Sequence, residues 1–164
     1  MAIERTGAAK EHFEKGQKFG TFQDDYAKAI AEYTEVIKLL PNDAESYDRR
    51  GSCYSSLGQD EKALDDYNKA ISLEPQNGEY YMTRALKYIR LGENEKGAAD
   101  IEKAVELNPK EAGKYYNMFG YVIFTSTGNK REAAVYLKKS VKHGDYCPYS
   151  GAETSEDLLK EWGM

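Results

Sequence analysis

Ile71-Ser-Leu-Glu-Pro75-Gln-Asn decides the fold, because the chain contains two further versions of it. They are Ile37-Lys-Leu-Leu-Pro41-Asn-Asp and Val105-Glu-Leu-Asn-Pro109-Lys-Glu. Pro41, Pro75 and Pro109 fall 34 residues apart, twice. Ala29, Ala63 and Gly97 keep the same step, as do Tyr33, Tyr67 and Ile101. Leu57-Gly58 recurs as Leu91-Gly92, and Tyr54 as Tyr88. A fixed period of this length marks a repeat architecture, in which one supersecondary unit is stacked several times.

Working outward from Pro75, each unit reads as two helices. Tyr47, Arg50, Gly51, Tyr54 and Leu57 recur at helical spacing, and Gly58 stops that helix just past its last turn. Ala63, Leu64, Tyr67, Ala70 and Ile71 follow at steps of three and four, until Pro75 closes the second helix. Small residues at Gly51 and Ala63 let the two backbones approach, and Tyr54 and Tyr67 fill the space beside them.

Tyr47, Gly51, Tyr54, Leu57-Gly58, Ala63, Tyr67, Ala70 and Pro75 resemble the tetratricopeptide-repeat signature. The resemblance covers residues 8 to 145 and divides them into repeats at 8–43, 44–77, 78–111 and 112–145, the last degenerate, with a loop and capping helix over 146–164. The third repeat departs by Ala85 and Gly97, where glycine and alanine are usual, and Gly97 is expected to cost roughly 1 kcal/mol against alanine. The first and fourth repeats each hold one extra residue, assigned to the loops Gly20-Thr-Phe-Gln-Asp24 and Ser126-Thr-Gly-Asn129. Beyond Gly144, Ser155-Glu-Asp-Leu-Leu-Lys-Glu-Trp162 reads as a capped short helix. The implied fold class is all-α, a right-handed superhelix of antiparallel helix pairs with a short C-terminal helix.

With 40% hydrophobic and 31% charged residues, the 164-residue chain has the balance of a folded domain, not a disordered one. Its net charge of −5 and the lack of a basic stripe argue against nucleic acid, and the same acidity argues against an anionic membrane surface. The apolar run Tyr121-Val122-Ile123-Phe124 is far short of the roughly 20 residues of a spanning helix, and the N-terminus lacks a signal-peptide core. A cytoplasmic location is the simplest expectation.

Catalysis finds little footing. Gly16, Gly20 and Gly51 fit helix packing and ends better than a phosphate cradle. His12 and His143 lie at opposite ends and read as solvated helix-face residues without neighbours for a metal or a general base. Cys53 falls on a buried stripe, and Cys147 sits in a loop before Pro148; the two form no ligand cluster. Asp24-Asp25 and Asp65-Asp66 read as structural acids at helix starts or outer faces. No enzyme activity, cofactor or metal is expected.

The family resemblance implies an extended concave surface lined by the first helix of each pair. The residues assigned to a peptide-binding groove are Phe13, Gln17, Asp48, Arg49, Glu79, Met82, Leu86, Met118, Tyr121 and Phe124, charged toward one end and apolar toward the other. Lys114, Asn117 and Ile89 share the same face. The carboxylate clamp of one branch of the family would fall on Phe13, Gln17, Arg49, Glu79 and Thr83, where only Arg49 is cationic and Glu79 repels an acid. The apolar helix near 115–125 needs a cover, either the chain's own Leu158, Leu159 and Trp162, a partner protein, or a second copy in a homodimer. The partner is expected to be another protein or peptide. Among fourteen tyrosines, Tyr80, Tyr81, Tyr115, Tyr116 and Tyr121 exceed what the repeat requires.

Overall fold

Nine α-helices and no strand occur among the described residues of the computed structural model, which are 4–22, 24–144 and 154–164. The chain divides between Gln76 and Asn77 into two compact units. Unit 1 holds α1 (Gly7–Gln17), α2 (Tyr26–Leu39), α3 (Ala44–Ser56) and α4 (Asp60–Leu73). Unit 2 holds α5 (Gly78–Arg90), α6 (Asn94–Leu107), α7 (Ala112–Thr127), α8 (Lys130–Lys142) and α9 (Ser155–Glu161). The helices pair as α1 with α2, α3 with α4, α5 with α6 and α7 with α8, and α9 packs on α8. The chain is thus an all-α array of about four helix pairs with a short C-terminal helix.

The punctuation read from the sequence operates as physics requires. Gly58 and Gly92 adopt φ of +69° and +77°, the left-handed conformation that ends α3 and α5. The amides of Gln59 and Glu93 then return to the carbonyls of Tyr54 and Tyr88 at 2.9 Å. Pro41, Pro75 and Pro109 stand two residues past the ends of α2, α4 and α6.

Close approach within each pair is set by one missing side chain. A Cβ on Gly51 would lie 2.9 Å from the Tyr67 ring and 3.1 Å from the Ala63 carbonyl. One on Gly16 would meet the Tyr33 ring at 2.8 Å, and one on Gly120 would meet Leu137 at 3.0 Å. In the third repeat the device is reversed. Ala85 sits on the first helix and Gly97 on the second, where a Cβ would meet Ile89 at 3.0 Å and the Ala85 carbonyl at 3.1 Å. Gly97 is therefore the contact itself, not a simple loss of helix propensity.

Three expectations need correction. The extra residue of the first repeat is not in a loop: Lys18–Phe22 continues α1 as a π-helical turn, the usual way for a helix to absorb one insertion. The extra length of the fourth repeat likewise enters α7, which runs to Thr127 before Gly128 turns at φ +68°. Asp66 also is neither at a helix start nor on the outer face. It is buried within α4, and its carboxylate accepts two hydrogen bonds at 2.8 Å from the Arg50 guanidinium. The pair recurs as Arg84 with Asp100, at 2.7 and 2.8 Å. Hydrogen bonding to these acids outweighs burial and raises both arginines above their ordinary pKa. Asp25, by contrast, caps α2 as expected, accepting from the Lys28 amide.

Candidate functional site

On unit 1, Phe13 does not line an open surface. It is buried against Tyr33, with ring centroids 5.6 Å apart. The Arg5 guanidinium lies 3.6 Å above its ring, held by Asp43 at 2.7 Å and Glu45 at 2.9 Å. Arg5 precedes the repeat pattern, so no framework position signals it. Gln17 is half-buried at the end of α1, and Asp48 is half-buried on α3. Arg49 is exposed and pairs with Glu45 at 3.3 Å. Between the π turn and α3 lies a cavity of about 230 Å³, bordered by Tyr26, Tyr33, Arg49, Ser52 and Ser56, with Cys53 among its lining residues. Burial pushes the Cys53 thiol up to about 11, which leaves it protonated and unreactive at neutral pH. Cys147 lies outside the described residues. His12 is not simply solvated, since its Nδ1 meets Glu32 at 2.6 Å. His143 is exposed and lies 5.7 Å from the Tyr116 ring. Among the described residues, no group of three or more His, Cys, Asp or Glu is placed to hold a metal ion. None of the described helices is long and apolar enough to cross a membrane.

On unit 2, Glu79 accepts from Lys114 Nζ at 2.9 Å and from the Tyr115 hydroxyl at 3.0 Å. Burial disfavours the Lys114 charge, but Glu79 and Glu111 outweigh it and raise its pKa. Burial, then the Glu79 charge, raises Tyr115 well above the ordinary tyrosine range. Tyr116 is raised likewise, by burial and by its hydrogen bond to Glu102. These two extra tyrosines therefore spend their hydroxyls internally. Met82 and Ile89 face the core and are buried. Leu86, Met118 and Phe124 are partly buried against that same core. Tyr121 alone of the assigned apolar residues stands out, 52% exposed on α7.

The tail covers one end of this face. Leu158 and Leu159 pack on Ala134 and Leu137 of α8. Trp162 reaches α7, with its ring 4.6 Å from that of Phe124, and Lys130 lies over both rings. Asn117, assigned to the groove, is instead buried and donates to Ser155 Oγ at 2.8 Å. A capping box between Thr154 and Asp157 starts α9. Phe124 and Asn117 thus hold the tail, and Tyr121 is left uncovered beside Met118. This arrangement offers apolar contact area and hydrogen-bonding groups.

The tetratricopeptide-repeat pattern matches residues 44–77 and, in a second form, residues 78–111. The chain is a tetratricopeptide-repeat protein. The tetratricopeptide-repeat protein MamA has the same fold, with a TM-score of 0.68 over 82% of this chain and 77% of that one at 23% identity. The first tetratricopeptide-repeat domain of Spaghetti (RPAP3), bound to the HSP90 peptide SRMEEVD, aligns with a TM-score of 0.61 and 26% identity over 80% of this chain and 94% of that one. The TPR2B domain of yeast Sti1, in complex with pHsp70, aligns at 0.64 and 25% identity over 74% and 97%. Hsp70-Hsp90 organizing protein 3 of Arabidopsis thaliana is 44% identical over 50 residues, 30% of this chain. The matched segment spans 9% of that protein's length.

Proposed function

We propose that this tetratricopeptide-repeat protein is a scaffold that binds a segment of another protein, with Tyr121, Met118 and Leu86 forming the apolar contact on unit 2. The observation that carries the reading is Tyr121, a large aromatic held half in solvent beside partly buried apolar side chains, while the tail covers its neighbour Phe124. Aromatic anchors of this kind dominate the energetics of protein interfaces. The peptide-bound neighbours and the Hsp70-Hsp90 organizing relatives support a protein partner.

The partner is not an acidic C-terminal peptide of the kind held by a carboxylate clamp. At the clamp positions Phe13 lies beneath Arg5, Arg49 is engaged by Glu45, and Glu79 carries negative charge. Calorimetric titration with the peptide SRMEEVD is the test. The expected result is no submicromolar binding, that is, a free energy weaker than about −8 kcal/mol. Submicromolar affinity would overturn this assignment.

A further inference from the structure

The outer side of α9 carries a second surface, remote in composition from the Tyr121 face. A groove of about 680 Å³ lies between α8 and α9, lined by Lys138, Val141, Lys142, Leu159, Lys160 and Met164 among others. Its floor is apolar, and Val141 and Met164 remain 37% and 45% exposed. Its rim carries three lysines, Lys138, Lys142 and Lys160, against one acid, Glu156. Lys160 pairs with Glu156 on its own helix at 3.1 Å, whereas Lys138 and Lys142 meet no carboxylate among the described residues. The one other lysine in that run, Lys139, is committed to Glu102.

We infer that this groove seats an acidic amphipathic helix of a partner protein. The shape is a trough between two packed helices, wide enough for a further helix. Apolar side chains at one-turn intervals would rest on Val141, Leu159 and Met164, as in helix-in-groove recognition. Carboxylates on the flanks of that helix face Lys138 and Lys142, which fixes the sign of the partner's charge.

The test is fluorescence anisotropy with the full chain and a labelled designed peptide of about 18 residues, long enough to hold a helix. It carries leucines at steps of three and four and glutamates elsewhere; a control carries lysines in place of the glutamates. The acidic peptide is expected to bind at micromolar concentration and to weaken with added salt. Val141→Glu, and separately the pair Lys138→Glu with Lys142→Glu, are expected to weaken it by about tenfold or more. Tyr121→Glu is expected to leave it unchanged, so failure here and failure of the Tyr121 reading remain distinct. Unchanged Trp162 emission verifies that α9 stays docked in each variant; a variant that moves it is replaced by the lysine pair. No binding of the acidic peptide, equal binding of the lysine peptide, or indifference to both variants overturns the inference. So does a dimer in light scattering that Val141→Glu dissolves, which would give the groove to a second copy.

Discussion

Repeats three and four of unit 2 fill the same place in opposite ways. Between α5 and α6 stand Arg84 and Asp100, hydrogen-bonded at 2.7 and 2.8 Å. At the corresponding positions between α7 and α8 stand Phe119 and Tyr136, edge to face with ring centroids 4.6 Å apart. The ion pair needs a shell, and has one in Tyr81 and Tyr88, whose rings lie 5.8 and 5.7 Å from the guanidinium. The aromatic pair needs only packing, and Phe119 is completely buried. The fold thus asks this place for volume and complementarity, not for charge. The repeat nearest the tail meets that need with apolar surface.

The sharpest way to break this comparison is Phe119→Ala. It removes a fully buried ring, and a loss of about 4 kcal/mol is expected in urea unfolding followed by the emission of Trp162, the chain's one tryptophan. A loss below about 1 kcal/mol would mean that the site collapses freely and the ring pair is not a packing element. Next comes Asp100→Asn, which removes the negative charge facing a largely buried guanidinium, at a cost of about 3 kcal/mol. The graft of repeat four into repeat three, Arg84→Phe with Asp100→Tyr, should instead fall within about 1 kcal/mol of the parent, because an ion pair replaced whole leaves no orphaned charge. Additive single and double losses would show that the two residues do not act as a pair.

Gly97→Ala is a test of sign. Helix propensity alone predicts a gain of about 1 kcal/mol. The contacts at 3.0 Å to Ile89 and 3.1 Å to the Ala85 carbonyl predict a loss of about 1–2 kcal/mol, measured by the same unfolding. The smallest effect concerns the tail. Thr154→Ala should loosen α9 by about 1 kcal/mol, visible as a shift in Trp162 emission. Hydrogen bonds from Thr154 hold the Asp157 carboxyl below its usual range. A depressed carboxylate pKa contributes stability above the unfolded value, and that contribution is lost as pH falls. The capping of α9 should therefore weaken on acidification through the carboxylate range, and not on raising the pH.

Much of this was legible in the spacing. Proline and glycine at fixed steps gave the helix pairs, because turn geometry tolerates few substitutes. Arg50 with Arg84 and Asp66 with Asp100 also repeat at 34 residues, a signal of the inter-helix pair that the acids alone did not reveal. The site was less legible. Phe13 and Met82 lie on faces that the family resemblance assigns to the groove, yet Arg5 closes over one and the other turns into the core. Asn117 reads as a surface amide until Ser155, 38 residues later, is brought against it. Side-chain contacts between elements outside the repeat carry no period, so periodicity cannot report them.

The central claim is that Tyr121 is an open anchor for a protein partner. It is tested most directly by quantitative capture from native lysate on the parent chain and on Tyr121→Glu. Trp162 emission and urea stability serve as controls. The account predicts a protein retained by the parent and lost, by at least about tenfold, on the variant, with emission and stability unchanged. Equal retention of the same proteins by both chains would contradict it.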